Sequence, residues 1–138
     1  MLLCQEFYLE NWNWFVRVFY VVDYLPMEYI ADQLKKLNFS EKDISLAVDN
    51  LTNGDNKAIT FSNSNSRSSV IVIGKTSNPE EFLSSYDHEK FHLAMHIAKE
   101  DNIDPYSEEL AYLIGDIGFN TFKIAKRFLC EHCRENLT

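Results

Sequence analysis

The stretch His88-Glu89-Lys90-Phe91-His92 reads H-E-x-x-H, and its spacing sets what the rest of the chain must accommodate. In a helix, histidines four apart stand one turn above each other on one face, so both imidazoles can reach a single tetrahedral Zn²⁺. Glu89, directly after the first histidine, then lies beside the metal's open position, where a carboxylate can take a proton from the attacking water. The same pattern also arises by chance in helices. A working site therefore needs three further things: a helix that carries the motif, a third protein ligand on a following element, and a strand that lines a cleft.

The helix is well signalled. Asn78 can cap free amides, Pro79 suits the first helical position, and Glu80 and Glu81 complement the positive helix end. From there to about Glu100 no Gly or Pro intervenes, which predicts roughly six turns with the histidines inside them. Phe82, Leu83, Tyr86, Phe91, Leu93, Ala94, Met95, Ile97 and Ala98 make this helix apolar on more than one side, so His88, Glu89 and His92 are expected in largely apolar surroundings. His96 continues the series but lies about 12 Å along the axis from His88, too far for both to bind one ion. It is assigned to the core or to support of the ligands.

Asp104-Pro105 then reads as the cap and first position of another helix. A carboxylate near the start of a helix packed antiparallel to the motif helix is the third ligand that a His₂Glu zinc site requires. Glu108 and Glu109 are both candidates and face about 100° apart. Glu108 is favoured, because Glu108, Tyr112 and Asp116 stack on one face and bring ionisable groups together for a metal and the hydrogen bonds around it. Tyr112 and Tyr86 are candidate donors to a developing oxyanion. The helix is expected to run on to Phe128, with a kink near Gly115 and Gly118, and to lead into Cys130-Glu131-His132-Cys133.

Upstream, Trp12 to Tyr24 is dense in aromatic and β-branched residues on both alternating sets, which predicts a central strand. Met27 to Leu37 has helical apolar spacing. Ser40 with Asp43 opens a second helix that Asn53-Gly54 is expected to stop, and the pair should cover the sheet. Ala58 to Ser62 and Ser68 to Gly74 flank a polar turn and predict a β-hairpin, with Val70, Ile71, Val72 and Ile73 as the strand on whose edge a peptide would add.

The 138 residues fit one domain, 1–138, and 46% hydrophobic content with four Gly and three Pro argues for a globular fold. A net charge of −8 with 13 scattered Lys and Arg argues against nucleic acid as a partner. Lys123, Lys126 and Arg127 read as a solvated, dipole-complementing face. No signal peptide and no membrane span are read, and three cysteines, which cannot all pair, suit a reducing compartment; the expectation is a soluble cytoplasmic protein. Cys130 and Cys133 are expected to pack at a helix end rather than to bind metal.

P-E-E-F, D-H-E-K-F-H and S-E-E-L-A-Y-L-I-G-D, between Thr76 and Asp116, together with the preceding R-S-S-V-I-V-I-G, resemble the short zinc peptidases of phages and other mobile elements. These belong with the gluzincins and their smallest members, the minigluzincins. The resemblance implies a zincin-like α+β domain with a short mixed sheet, whose β-hairpin packs against the active-site helix and a following glutamate-bearing helix. It implies His88, His92 and Glu108 as Zn²⁺ ligands, Glu89 as general base, and a peptide or protein substrate. Tyr112 stands where larger gluzincins carry an Asp that holds a zinc histidine, and Asp116 is a substitute. The alternative expectation is a non-catalytic interaction module of a phage or mobile element that retains the zincin fold.

Overall fold

A computed structural model describes residues 1–52 and 58–137. They form a small α+β fold around a four-stranded mixed sheet with strand order β1-β2-β4-β3. Strand β2, Trp14–Val21, is the centre, as its sequence predicts. Val16, Val18 and Tyr20 are buried on one face, Phe19 and Val21 on the other. A strand apolar on both sides is stable only when both sides are covered.

Strand β1, Leu2–Leu9, precedes it and is an element beyond those the sequence predicts. It pairs antiparallel with β2 from Leu2 opposite Val21 to Leu9 opposite Trp14. Its Gln5 and Glu6 interrupt the apolar pattern, as an edge strand permits, so periodicity alone does not predict it. A single-turn 3₁₀ helix, Glu10–Trp12, joins the two strands, with Asn13 in the left-handed region at φ 50°.

Helices α1 (Met27–Lys36) and α2 (Glu41–Thr52) cover one face of the sheet, packing Ile30, Leu34, Ala47 and Leu51 on Phe19, Val21, Val70 and Val72. The Asp43 amide donates to Ser40 Oγ at 3.1 Å, the expected cap. The expected stop at Asn53-Gly54 lies outside the described residues.

Strands β3 (Ala58–Asn63) and β4 (Ser68–Ile73) form the expected antiparallel hairpin. The assignment of Val70 to Ile73 as a substrate edge is corrected. Strand β4 pairs with β3 on one side and runs parallel to β2 on the other, from Phe15 opposite Ser68 to Tyr20 opposite Ile73. Val70 and Val72 face α1 and α2 while Ile71 and Ile73 face the opposite core, and burying a side chain of this size contributes about 1.5–3 kcal/mol. The continuous apolar run is thus the mark of an interior strand, and β3 takes the edge.

Helices α3 (Pro79–Asp101) and α4 (Glu108–Ala125) cover the second face, followed by a 3₁₀ turn, Lys126–Phe128, and α5 (Glu131–Glu135). Asn78 Oδ1 accepts the Glu81 amide at 2.8 Å, with Pro79 in the first turn as expected. Asp104 does not cap α4; it folds the preceding turn by accepting the Tyr106 amide, and Ser107 Oγ caps the helix by accepting the Leu110 amide. Helix α4 runs unbroken through Gly115 and Gly118, without the expected kink, and ends at Ala125, short of the expected Phe128, where a 3₁₀ turn takes over. Cys130 and Cys133 are exposed free thiols, not packed ones. Among the described residues no helix is long and apolar enough to cross a membrane.

Candidate metal centre

His88, Glu89 and His92 sit in the middle of α3, where the turn-by-turn geometry fixes their relation. His88 Nε2 and His92 Nε2 stand 3.0 Å apart, and the rings meet edge-on with centroids 4.6 Å apart. Two imidazole ligands of one tetrahedral Zn²⁺ at the usual bond length stand about 3.3 Å apart. The donor pair therefore fits two adjacent positions of such an ion.

Glu89 follows His88 about 100° round the helix, with its carboxylate turned inward to β3. It is 4% exposed, and its Oε1 accepts a hydrogen bond from the Thr60 hydroxyl at 3.0 Å, while Oε2 lies 4.0 Å from His88 Nε2. Burial pushes its carboxyl above the ordinary carboxylate range, opposed by the Thr60 hydroxyl and by His88 and His92. His88, by contrast, is 66% exposed. The apolar surroundings expected for all three are thus found for Glu89 alone, because Glu89 is three residues from buried Tyr86 and four from buried Leu93 and shares their stripe.

His96 lies one turn further on, and its Nδ1 is 2.6 Å from Ser62 Oγ. Ser62 Oγ is 2.7 Å from Ser69 Oγ, which accepts the Trp14 indole N–H at 2.8 Å. The indole can only donate. In the arrangement that leaves no hydroxyl proton without an acceptor, Ser69 donates to Ser62, Ser62 donates to His96 Nδ1, and the ring carries its proton on Nε2. Burial, then His92 and Lys99, hold the His96 pKa below 6.5, so the ring is neutral. His96 is thus tied to β3 at the border of the cleft, its ring centroid 6.3 Å from that of His92.

The cleft itself is an open depression of about 250 Å³ between β3 and α3, lined by Ala58, Ile59, Thr60, His88, Glu89, His92 and His96. Thr60 and Ser62, the two hydroxyls that hold Glu89 and His96, were missed by sequence reading. Their signal was available: polar residues two apart on a strand share one face, here the face turned to the motif helix.

The remaining candidates are not brought to this cleft. Tyr86 is buried, stacks on Phe82 at 5.7 Å, and hydrogen-bonds through its hydroxyl with Thr121 of α4, so it cannot serve an oxyanion at the histidines. Glu108 and Tyr112 are exposed on α4, Tyr112 at 68%, and Asp116 is half-buried there. The physical reason is the helix phase. Leu110, Leu113, Ile117 and Thr121 form the buried stripe, and Glu108 lies two residues, or about 200°, from Leu110. Helix α4 meets α3 on the side of Tyr86 and Lys90, whose Nζ lies 3.8 Å from a methyl built on Gly118, and the histidines face β3 instead. Among the described residues no group of three or more His, Cys, Asp and Glu side chains is arranged to hold a metal ion. Comparison with family models, curated proteins and solved structures finds no match.

Proposed function

We propose that the chain is a zincin-like, zinc-dependent peptidase, with His88 and His92 holding the metal and Glu89 as general base. The observation that carries this reading is the pair of Nε2 atoms 3.0 Å apart with the Glu89 carboxylate 4.0 Å from the nearer one, all opening on one cleft beside an edge strand. Bound zinc would supply a water of lowered pKa and a Lewis acid for the peptide carbonyl. Glu89 takes the proton of the attacking water and returns it to the leaving amine, while the Thr60 hydroxyl fixes its Oε1. An extended substrate adds its main chain to β3, the strand that borders the cleft, with no need of the interior β4. Glu108, which the resemblance offers as third ligand, has no part in the geometry that supports the reading.

The test is hydrolysis of a denatured protein by the zinc-loaded chain and by Glu89→Gln. Cleavage by wild type that Glu89→Gln abolishes supports the assignment, and equal cleavage by both refutes it. A non-catalytic interaction module of zincin-like fold is favoured by one observation, the lack of a third ligand among the described residues. Native protein that carries no zinc, and takes up none after chelation and refeeding, would select that role.

A further inference from the structure

The outer face of α4 is unusual for a surface helix. Glu108, Tyr112, Gly115, Phe119 and Phe122, with Lys126 at the start of the 3₁₀ turn that continues the helix, follow one another at spacings of 4, 3, 4, 3 and 4 and are all exposed. That is the spacing of a coiled-coil seam, and it lies opposite the stripe that α4 buries in its own core. Phe119 is 83% exposed, Tyr112 68% and Phe122 57%, so three large aromatic rings stand in one row on one helix.

Gly115, in the middle of the row, is required by no close approach among the described residues. A methyl group built on it meets nothing within 4 Å, and glycine inside a helix is unfavourable relative to alanine. A bare backbone there is useful only to something that approaches from outside. Gly115 and Gly118 line an open groove of about 670 Å³ with Phe7, Phe119 and Phe122 along it.

We propose that this face pairs with the same face of a second copy of the chain, antiparallel across a two-fold axis. The row is self-complementary in that direction alone. Centred between Gly115 and Phe119, the antiparallel register sets Phe119 of each copy on Gly115 of the other and Tyr112 against Phe122. It sets Glu108 against Lys126, so both ends of the seam carry opposite charges. A parallel pairing would instead place Phe119 on Phe119 and Glu108 on Glu108, leaving the glycine seat empty and the ends repulsive. The occupant is thus a second copy, and the interface does not depend on the metal site, which opens on the other side of the helical layer towards β3.

The experiment is sedimentation equilibrium of the full chain, at physiological salt and under reducing conditions because Cys4, Cys130 and Cys133 are exposed. A reversible monomer–dimer equilibrium is expected in the micromolar range, since one helix pair is a small interface. Phe119→Glu and Gly115→Leu should each weaken it at least about 100-fold, the first by removing the ring and the second by filling its seat. Glu108→Lys and Lys126→Glu should each weaken it about 5–10-fold, and the double variant should return it to within about twofold of wild type. Circular dichroism at a concentration where only monomer is present should show the Phe119→Glu fold unchanged, because the ring makes no part of the core. A chain monomeric at every concentration, a dimer indifferent to Phe119→Glu, or single charge variants that weaken the dimer without rescue by the double would each overturn the proposal.

Discussion

Helices α3 and α4 lie on the same face of the sheet and each carries a row of polar residues suited to chemistry, yet they treat those rows in opposite ways. In α3 the row begins at the solvent with His88 and ends inside, with Glu89 held by Thr60 and His96 held by Ser62. In α4 the row of Glu108, Tyr112 and Asp116 turns away from α3 altogether. The difference lies in phase relative to the nearest core stripe. Spacing within a row says which residues are neighbours, and only the offset from buried leucines and isoleucines says where those neighbours point.

The largest effect that would break this contrast is catalytic. Glu89→Gln is expected to lower peptide hydrolysis by about 10²–10⁴-fold while zinc content, measured by elemental analysis, stays that of wild type. A variant with full activity would move the base elsewhere.

Core truncation on α4 comes next. Leu113→Ala, which empties a fully buried site, should cost about 2–5 kcal/mol in urea unfolding, whereas Tyr112→Ala beside it should cost under about 0.5 kcal/mol when measured on the monomer. Similar losses for the two would erase the distinction between the faces of α4.

Zinc titration sharpens the contrast directly. His88→Ala and His92→Ala should each weaken zinc binding by at least about 100-fold, while Glu108→Gln should leave it within about twofold. A loss for Glu108→Gln equal to that for His88→Ala would bring the first turn of α4 to the metal and put the two helices in one site.

The smallest effect concerns pH. His96 has a folded pKa below its ordinary 6.5, so between the two values the unfolded chain binds more protons and stability rises with pH. The contribution is complete above pH 6.5 and is lost as pH falls towards the folded pKa. Urea midpoints of wild type and His96→Gln, each measured relative to its own value at pH 7.5, should diverge below pH 6.5, with the variant falling less. Parallel profiles would mean that His96 titrates freely.

Much of the fold was legible because periodicity reports directly on burial. Strand β2 announced itself by two apolar sets, α3 by Asn78-Pro79 and an uninterrupted run, and the β3–β4 hairpin by its polar turn. Strand β1 was not legible, since an edge strand with Gln5 and Glu6 has no clean alternation. The position of β4 differs from the expected edge because four consecutive apolar residues ask for neighbours on both sides, and β2 and β3 supply them. At the site, the His88–Glu89–His92 relation followed from helix geometry alone. The place of Glu108 depended on how two helices meet, although its 200° offset from Leu110 was already written in the sequence. The roles of Thr60 and Ser62 depended on which strand lies over α3, a long-range pairing that no local window contains.

The parallel seam between β2 and β4 also governs the order in which the molecule can be made. β2 ends at Val21 and its partner only at Ile73, so at a ribosomal rate of about 5–20 residues per second the first hairpin waits roughly 3–10 seconds for that partner. Throughout that delay an unsatisfied row of amides and carbonyls on β2 is open to any stray strand. The helices that follow β2 in the chain, α1 and α2, can cover its apolar face of Phe19 and Val21 in that interval, but only β4 closes its edge.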